Sequence, residues 1–132
     1  MWVYEQSTGR LSLNGNLAGT GYSGNGAGKN NPQMQSVACV GPLPCGVYAI
    51  GTPFNSIKHG PFAMPLSPDP TNAMFKRSGF MMHGDSIEHP GCASEGCIIM
   101  PLGVRHAVWD SEDRGLTVVS GVILPTDFEL AT

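Results

Sequence analysis

Apolar and polar residues alternate along residues 2–15, WVYEQSTGRLSLNG, on both sides of a break at Ser7-Thr8-Gly9. Alternation on either side of a turn predicts a β-hairpin. Further along the chain, short apolar runs are separated by connections rich in Pro and Gly, a pattern typical of strands in a β-rich domain. These runs predict strands at residues 47–50, 62–66, 79–83, 96–100 and 116–120.

Two segments depart from this β pattern. Residues 14–33 are rich in Gly and Asn and show no apolar period, so they predict a long loop of the kind that often carries function. Residues 101–113, PLGVRHAVWDSED, predict one short helix in which Pro101 suits the first position. No repeat, linker or composition break divides the chain, and we predict a single mainly β domain over residues 1–132.

Composition and charge narrow the functional classes. Apolar residues make up 41% of the chain and charged residues 13%, which favours a folded domain over a disordered one. The formal charge of −3 lacks the basic excess typical of nucleic-acid binders, and no apolar run is long enough for membrane insertion. Residues 1–15 show no basic stretch followed by an apolar run, so we expect no Sec-type signal and, for action outside the cytoplasm, another export route.

Candidate chemistry concentrates in the segment FMMHGDSIEHPGCASEGCIIM, at residues 80–100. The four cysteines of the chain are Cys39, Cys45, Cys92 and Cys97. An even number permits two disulfides, one or none, and the sequence leaves that choice open. The cysteines do not form the two close pairs typical of structural zinc, although His83, His89 and Cys92 would make a zinc site if the fold brought them together.

Residues 94–97, Ser-Glu-Gly-Cys, favour a further interpretation, nucleophilic catalysis. Cys97 follows Gly96 and enters an apolar strand, so a substrate backbone can approach closely and successive N–H groups can stabilise an oxyanion. His83 ends another apolar strand, and an imidazole near Cys97 would lower the pKa of the thiol from its free value of about 8.5. A buried inert cysteine stays the alternative, because free Cys packs as a small hydrophobe.

Several segments together resemble one enzyme family. His83-Gly84 followed by SEGCI is similar to the signature of L,D-transpeptidase catalytic domains, and GPLPCGVYAIG resembles their Pro-bearing turn before a strand. With GYSGNGAGKNNP and RSGFMMHGD, the pattern is most like a compact branch, the type VI secretion L,D-transpeptidase effectors. The resemblance implies a mainly β fold, an L,D-transpeptidase-like β-sandwich or barrel with long loops and one short helix after the catalytic strand.

The resemblance also implies roles for residues around the two motifs. Cys97 would be the nucleophile, and His83 the general base, oriented through the backbone carbonyl of Gly84. The backbone N–H groups of Gly96 and Cys97 would contribute to the oxyanion hole. Ser94 would fix the turn or donate a hydrogen bond near the site.

The residues that would bind the substrate lie outside the two motifs, so the resemblance indicates them less directly than the catalytic residues. Tyr22 and Ser23 lie in the Gly-rich segment and are expected to line the substrate groove, although packing is an equal interpretation for Tyr22. Arg77 or Lys29 is expected to meet the substrate carboxylate. His89 is a further candidate for substrate contact, with a solvent-facing position before Pro90 as the alternative.

By the same resemblance, the enzyme acts on peptidoglycan stem tetrapeptides through a Cys97 thioester and needs no cofactor or metal. Water then gives L,D-carboxypeptidase action, a free D-amino acid gives exchange, and the amine of another stem gives a cross-link. The expected setting is secretion without a Sec signal and action in the periplasm of target bacteria. The expected partners are stem peptides, D-amino acids, a component of the secretion apparatus and a cognate immunity protein.

The chain departs from the family pattern at two positions. Ile99 stands two residues after the nucleophile, where the family often has Arg or Asn, and Glu95 stands before the glycine, where His is frequent. His59 and His106 belong to no motif and are expected to be surface or helix residues. Two rival functions remain at this point: another cell-wall cysteine amidase or peptidase, and a non-catalytic wall-binding or disulfide- or zinc-stabilised module.

Overall fold

The computed structural model describes residues 1–121, and residues 122–132 of the predicted domain lie outside the described residues. The described part forms ten strands and one α-helix, which confirms the predicted mainly β fold with a short helix after the Cys97 segment. The strands are β1 Trp2–Glu5, β2 Arg10–Leu13, β3 Asn16–Thr20, β4 Tyr22–Ser23, β5 Gly46–Ile50, β6 Phe54–Ser56, β7 Gly60–Pro68, β8 Met81–His83, β9 Ile98–Ile99 and β10 Gly115–Val119. The helix, α1, spans Leu102–Asp110, and 3-10 turns cover Gly26–Gly28 and Pro32–Met34.

The N-terminal hairpin is present as predicted. β1 and β2 pair antiparallel, with Trp2 opposite Leu13 and Tyr4 opposite Leu11. Trp2, Tyr4 and Leu11 are buried in the core, as the alternation of apolar residues requires.

The prediction of a loop over residues 14–33 is wrong for residues 16–23, where the structure has β3 and β4. β3 pairs antiparallel with β2, and β4 pairs antiparallel with β9, so the irregular segment begins only after Ser23. Neither strand contains a regular alternation of apolar residues. β4 depends on a partner strand distant in the sequence, whereas β3 follows β2 across the hairpin turn Asn14-Gly15, a turn signal that the loop prediction did not use.

The other five predicted strands are present as β5, β7, β8, β9 and β10. β9 covers only Ile98–Ile99, so the strand predicted at 96–100 is shorter than expected. The sequence analysis did not predict β6, which is three residues long and pairs with β7 across a register shift.

The strands form one open mixed sheet in the order β3-β2-β1-β10-β5-β7-β8-β9-β4, with β6 added on β7. β1 pairs parallel with β10 and β8 parallel with β9. The two end strands, β3 and β4, are joined in the chain by Gly21 alone, so the sheet curls back toward its own start. A Cβ at Gly21 would lie 1.7 Å from the carbonyl oxygen of Ile99, so only glycine fits at this junction.

Helix α1 follows β9 and packs against β3, β7 and β8. It begins one position later than predicted, with Pro101 as the residue before its first turn. Val108 and Arg105 are its buried residues, and Val108 joins the core that β1, β5, β7 and β10 share. No helix in the part of the chain that the structure describes has the length and hydropathy to cross a membrane.

Candidate active site

Two parallel strands bring His83 and Cys97 to one cavity. His83 ends β8 and pairs with Ile99 of β9, and Cys97 lies two residues before Ile99. Cys97 directly precedes β9, the strand that pairs with β8. His83 and Cys97 both line a cavity of about 1120 Å³, which is bordered by the segment before β8, the β8–β9 connection and the start of α1.

The imidazole of His83 is buried and held in one orientation. The side chain is 1% exposed, and Nδ1 lies 2.8 Å from the carbonyl oxygen of Gly84, the carbonyl to which the resemblance assigns this contact. A carbonyl oxygen only accepts, so Nδ1 carries the proton and Nε2 is the unprotonated nitrogen. Nε2 has no hydrogen-bond partner among the described residues. Burial lowers the pKa of His83 to about 4, against the opposing effect of the Gly84 hydrogen bond.

The thiol of Cys97 is close to fully buried, with 9% of the residue exposed. The backbone N–H of Met81 donates to Sγ at 3.3 Å. Burial raises the pKa of Cys97, and the Met81 hydrogen bond opposes that rise only in part. The expectation of a lowered thiol pKa is therefore wrong for this resting structure, because burial disfavours the thiolate more than its neighbours favour it. The resting pair is a neutral thiol and a neutral imidazole.

Ser94 organises the turn that leads to Cys97. Its hydroxyl donates to the carbonyl oxygen of Cys97 at 2.6 Å and accepts from the backbone N–H groups of Gly24 at 2.8 Å and Gly96 at 3.1 Å. The Gly96 N–H is thus directed at Ser94, which corrects the expectation that it faces a substrate oxyanion. The Cys97 N–H stays the expected backbone donor.

Gly96 has a role that the sequence analysis did not predict. Its φ of +133° lies in the region that favours glycine, and a Cβ there would lie 2.5 Å from Nη2 of Arg77 and 2.6 Å from the ring of Phe80. Glycine therefore lets the guanidinium of Arg77 approach the backbone beside the nucleophile.

Two predicted substrate-binding residues are structural instead. Ser23 is fully buried, and its hydroxyl donates to the Gly96 carbonyl and accepts from the Leu43 N–H, so it does not line the groove. Arg77 borders the cavity, but its two terminal nitrogens donate to four backbone carbonyls. Those acceptors are Gln35, Gly41, Pro42 and Glu95. The predictions of substrate contact for Ser23 and Arg77 rested on residue type alone. In the structure the hydroxyl of Ser23 and the guanidinium of Arg77 form hydrogen bonds with backbone groups instead.

Tyr22 lines the cavity wall and also braces it. Its hydroxyl donates to Asp85 at 2.6 Å and accepts from the Ala93 N–H at 2.9 Å, while Lys29 Nζ lies 4.4 Å above its ring. The two hydrogen bonds of the Tyr22 hydroxyl tie β4 to the loop between β8 and β9. His89 lies exposed in that loop and is not among the residues that line the cavity, in agreement with its solvent-facing alternative.

Two cavity residues were missed by the sequence analysis. His59 stacks on His83 with ring centroids 4.1 Å apart, and its only sequence signal was a second His-Gly pair, His59-Gly60. Arg105 of α1 is buried at the cavity wall beside Gly84. No motif pointed to Arg105, because it comes from the helix rather than from the segments that carry the signatures. His106, by contrast, is exposed and contacts Phe62, as expected of a helix surface residue.

Within residues 1–121, the structure supports neither the zinc site nor the disulfides that the sequence analysis left open. Among the described residues, no group of three or more His, Cys, Asp or Glu side chains is placed to hold a metal ion. All four cysteines are free thiols, with Cys39 and Cys92 exposed and Cys97 buried.

Comparison with known proteins gives one positive result. A family model described as the Tlde1 domain matches residues 18–114, which include His83, Cys97 and Arg105. No curated protein matches the chain at a significant level.

Proposed function

Because this chain belongs to the Tlde1 domain family, the type VI secretion L,D-transpeptidase effectors, we propose that it cleaves the terminal D-amino acid from peptidoglycan stem tetrapeptides through a Cys97 thioester. The family points to an effector enzyme that modifies peptidoglycan. The reaction and its residues are our proposal. The observation that carries it is that His83 and Cys97 line the same cavity, and that Nε2 of His83 has no hydrogen-bond partner in the part of the chain that the structure describes.

In the acylation step, Sγ of Cys97 attacks the carbonyl carbon between the L-centre of diaminopimelate and D-Ala. The thiol proton moves to Nε2 of His83, the S–C bond forms, and the carbonyl oxygen takes the negative charge. The intermediate collapses as the C–N bond breaks, and His83 returns the proton to the leaving amine of D-Ala. The resting neutral pair suits this sequence, because the proton leaves sulfur only as the new bond forms.

The thioester is then relieved by an acceptor with a proton to lose. Water gives the tripeptide acid, a free D-amino acid gives an exchanged tetrapeptide, and the amine of another stem gives an L,D cross-link. In each case His83 takes the proton of the acceptor, and the thiol of Cys97 is regenerated. Hydrolysis and exchange would deplete the tetrapeptide donors of normal cross-linking, which accounts for a toxic effect on target cells.

Delivery and protection complete the proposal. As a type VI effector the protein passes to target cells with a component of the secretion apparatus, and it meets its substrate in their periplasm. The producer then needs a cognate immunity protein, and the cavity mouth beside His83 and Cys97 is the surface whose occlusion would stop the reaction.

The test is incubation of the protein with purified tetrapeptide muropeptides, with and without a D-amino acid, followed by mass spectrometry of the products. Loss of D-Ala alone, or its replacement by the added amino acid, supports the proposal. Release of whole stems from the glycan would show an amidase instead. Unchanged muropeptides together with tight binding to peptidoglycan would show a non-catalytic module.

A matched pair of variants isolates the nucleophile. Cys97→Ser should fold and lose activity by several orders of magnitude, since a hydroxyl is far less nucleophilic than a thiol. Cys45→Ser should act as the wild type does, because Cys45 lies outside the cavity and serine can keep its hydrogen bond to Gln6. Equal activity of the two variants would contradict the role of Cys97.

A further inference from the structure

Arg105 is a buried cation that has no anionic partner among the described residues. The residue is 5% exposed, and the one ion pair among the described residues joins the N-terminus to Asp113. Burying a guanidinium is costly unless an anion or a full set of acceptors compensates it. The charge of Arg105 is close enough to His83 to act with burial in lowering the pKa of that imidazole.

The hydrogen bonds of Arg105 satisfy only part of its guanidinium. Nε donates to the Met100 carbonyl at 3.0 Å, and Nη1 donates to the carbonyls of Pro61 and Phe62 at 2.7 and 3.1 Å. Nη2 has no acceptor among the described residues, and it is accessible to solvent. Arg105 lines the cavity, so Nη2 is the part of the guanidinium left for a ligand.

Arg77 provides an internal comparison. It is also buried at the cavity wall and has no carboxylate partner within residues 1–121, but both of its terminal nitrogens donate to backbone carbonyls. Its guanidinium is therefore occupied in holding loops together. Of these two buried arginines, only Arg105 keeps an open terminal nitrogen.

The position of that nitrogen indicates which ligand group it meets. A Cβ built on Gly84 would lie 2.7 Å from Nη2, so the guanidinium lies directly beside the residue that follows the general base. In the proposed reaction, which this inference rests on, His83 protonates the nitrogen of the leaving D-amino acid. The carboxylate of that amino acid is attached to the carbon that bears this nitrogen, so the two groups must lie close together.

We propose that Arg105 binds the C-terminal carboxylate of the leaving D-amino acid, and so restricts the enzyme to peptides that end at this residue with a free acid. The guanidinium takes the place of the polar side chain, Arg or Asn, that the family often has two residues after the nucleophile, where this chain has the buried Ile99. The same position receives the carboxylate of an incoming D-amino acid in exchange, because exchange reverses the acylation step with a new amine.

The experiment compares three synthetic tetrapeptides on the wild-type enzyme. One carries free acids, one has a C-terminal amide, and one has an amide at the side-chain carboxylate of diaminopimelate. A charge-assisted hydrogen bond predicts that the C-terminal amide lowers kcat/KM by about 10- to 100-fold. The side-chain amide should have no Arg105-dependent effect.

Variants then connect this selectivity to the residue. In Arg105→Gln the ratio of kcat/KM for the free acid to that for the C-terminal amide should fall close to one, and KM for a free D-amino acid acceptor should rise. Lys58→Gln, which removes an exposed cation from the same cavity, should keep the wild-type ratio. Arg105→Lys should recover part of the ratio, because it keeps the charge.

Each outcome has a defined meaning. Equal turnover of free acid and C-terminal amide by the wild type would overturn the assignment, and this comparison holds even if Arg105 variants fail to fold. A wild-type ratio retained in Arg105→Gln would also overturn it. Failure of any peptide to give a Cys97-dependent product would instead defeat the proposed function, and the assignment with it.

Discussion

The ring of His59 lies on the ring of His83, with centroids 4.1 Å apart and planes inclined by 22°. His83 is the buried member, and His59, which lines the same cavity, is half-buried. The stack therefore contributes to the burial that keeps His83 neutral, and the charges of Arg105 and Asp85 act on the same imidazole in opposite directions.

Replacing His59 should change the titration of His83. In His59→Ala water reaches the imidazole, so the pKa of His83 should rise from about 4 toward the ordinary value of 6.5. Protonated His83 cannot accept the thiol proton, so the acid limb of the pH–kcat/KM profile should move to higher pH. NMR titration of the His83 ring measures the shift without any assay. In His59→Phe the covering ring is kept, so the shift should be smaller, and identical titrations of His59→Ala and wild type would contradict this account.

Ser94 should contribute to both stability and the geometry of the nucleophile. Ser94→Ala leaves two buried N–H groups and one carbonyl without their hydroxyl partner, which should cost about 2 to 4 kcal/mol in the free energy of unfolding. Urea denaturation measures this loss. Ser86→Ala is the matched control, since Ser86 accepts one hydrogen bond in the exposed loop, and its effect should be within about 0.5 kcal/mol. Equal losses in the two variants would refute the assigned role.

Tyr4 should tolerate loss of its hydroxyl. The residue is fully buried, and its hydroxyl has no hydrogen-bond partner among the described residues. An unsatisfied buried hydroxyl costs about 1 to 3 kcal/mol, so Tyr4→Phe should leave the free energy of unfolding unchanged or raise it by about 1 kcal/mol. Thermal unfolding of the variant beside the wild type is the measurement. A clear loss of stability would mean that the hydroxyl has a partner.

The junction between β3 and β4 should be intolerant of any side chain. Gly21→Ala would place Cβ against the Ile99 carbonyl oxygen, so it should lower the free energy of unfolding by about 3 kcal/mol or more. Gly103→Ala is the matched control, because a Cβ there meets nothing within 4 Å and the position is helical. It should raise stability by up to about 1 kcal/mol. Chemical denaturation of both variants tests the contrast, and equal effects would argue against the close approach.

The pattern of apolar residues predicted those elements of the fold that depend only on their own residues. The β1–β2 hairpin and α1 follow from alternation and helical spacing within their own residues. β4 was missed because its partner strand, β9, is distant in the sequence. β3 and β6 were missed because each pairs with a neighbouring strand across a register shift and has no regular alternation of apolar residues.

The same distinction applies to the site. His83 and Cys97 were singled out from adjacent glycines and strand positions, and their catalytic roles stay predictions. Arg105 and His59 were not identified, because α1 and the turn between β6 and β7 reach the cavity only through the fold. Arg77 and Ser23 were assigned to the substrate because of their side-chain chemistry, yet that chemistry is consumed by backbone groups. Only the partners of a polar group reveal whether it is available.

The curl of the sheet also bears on how the edges of the sheet are covered. Its end strands, β3 and β4, are successive parts of the chain, and α1 packs against β3 with Val104 pressed on Gly19. The remaining edge, β6, is three residues long and has an irregular register, features that discourage strand addition by another molecule. β3 and β6 would thus offer another copy of the protein little free backbone on which to add a strand.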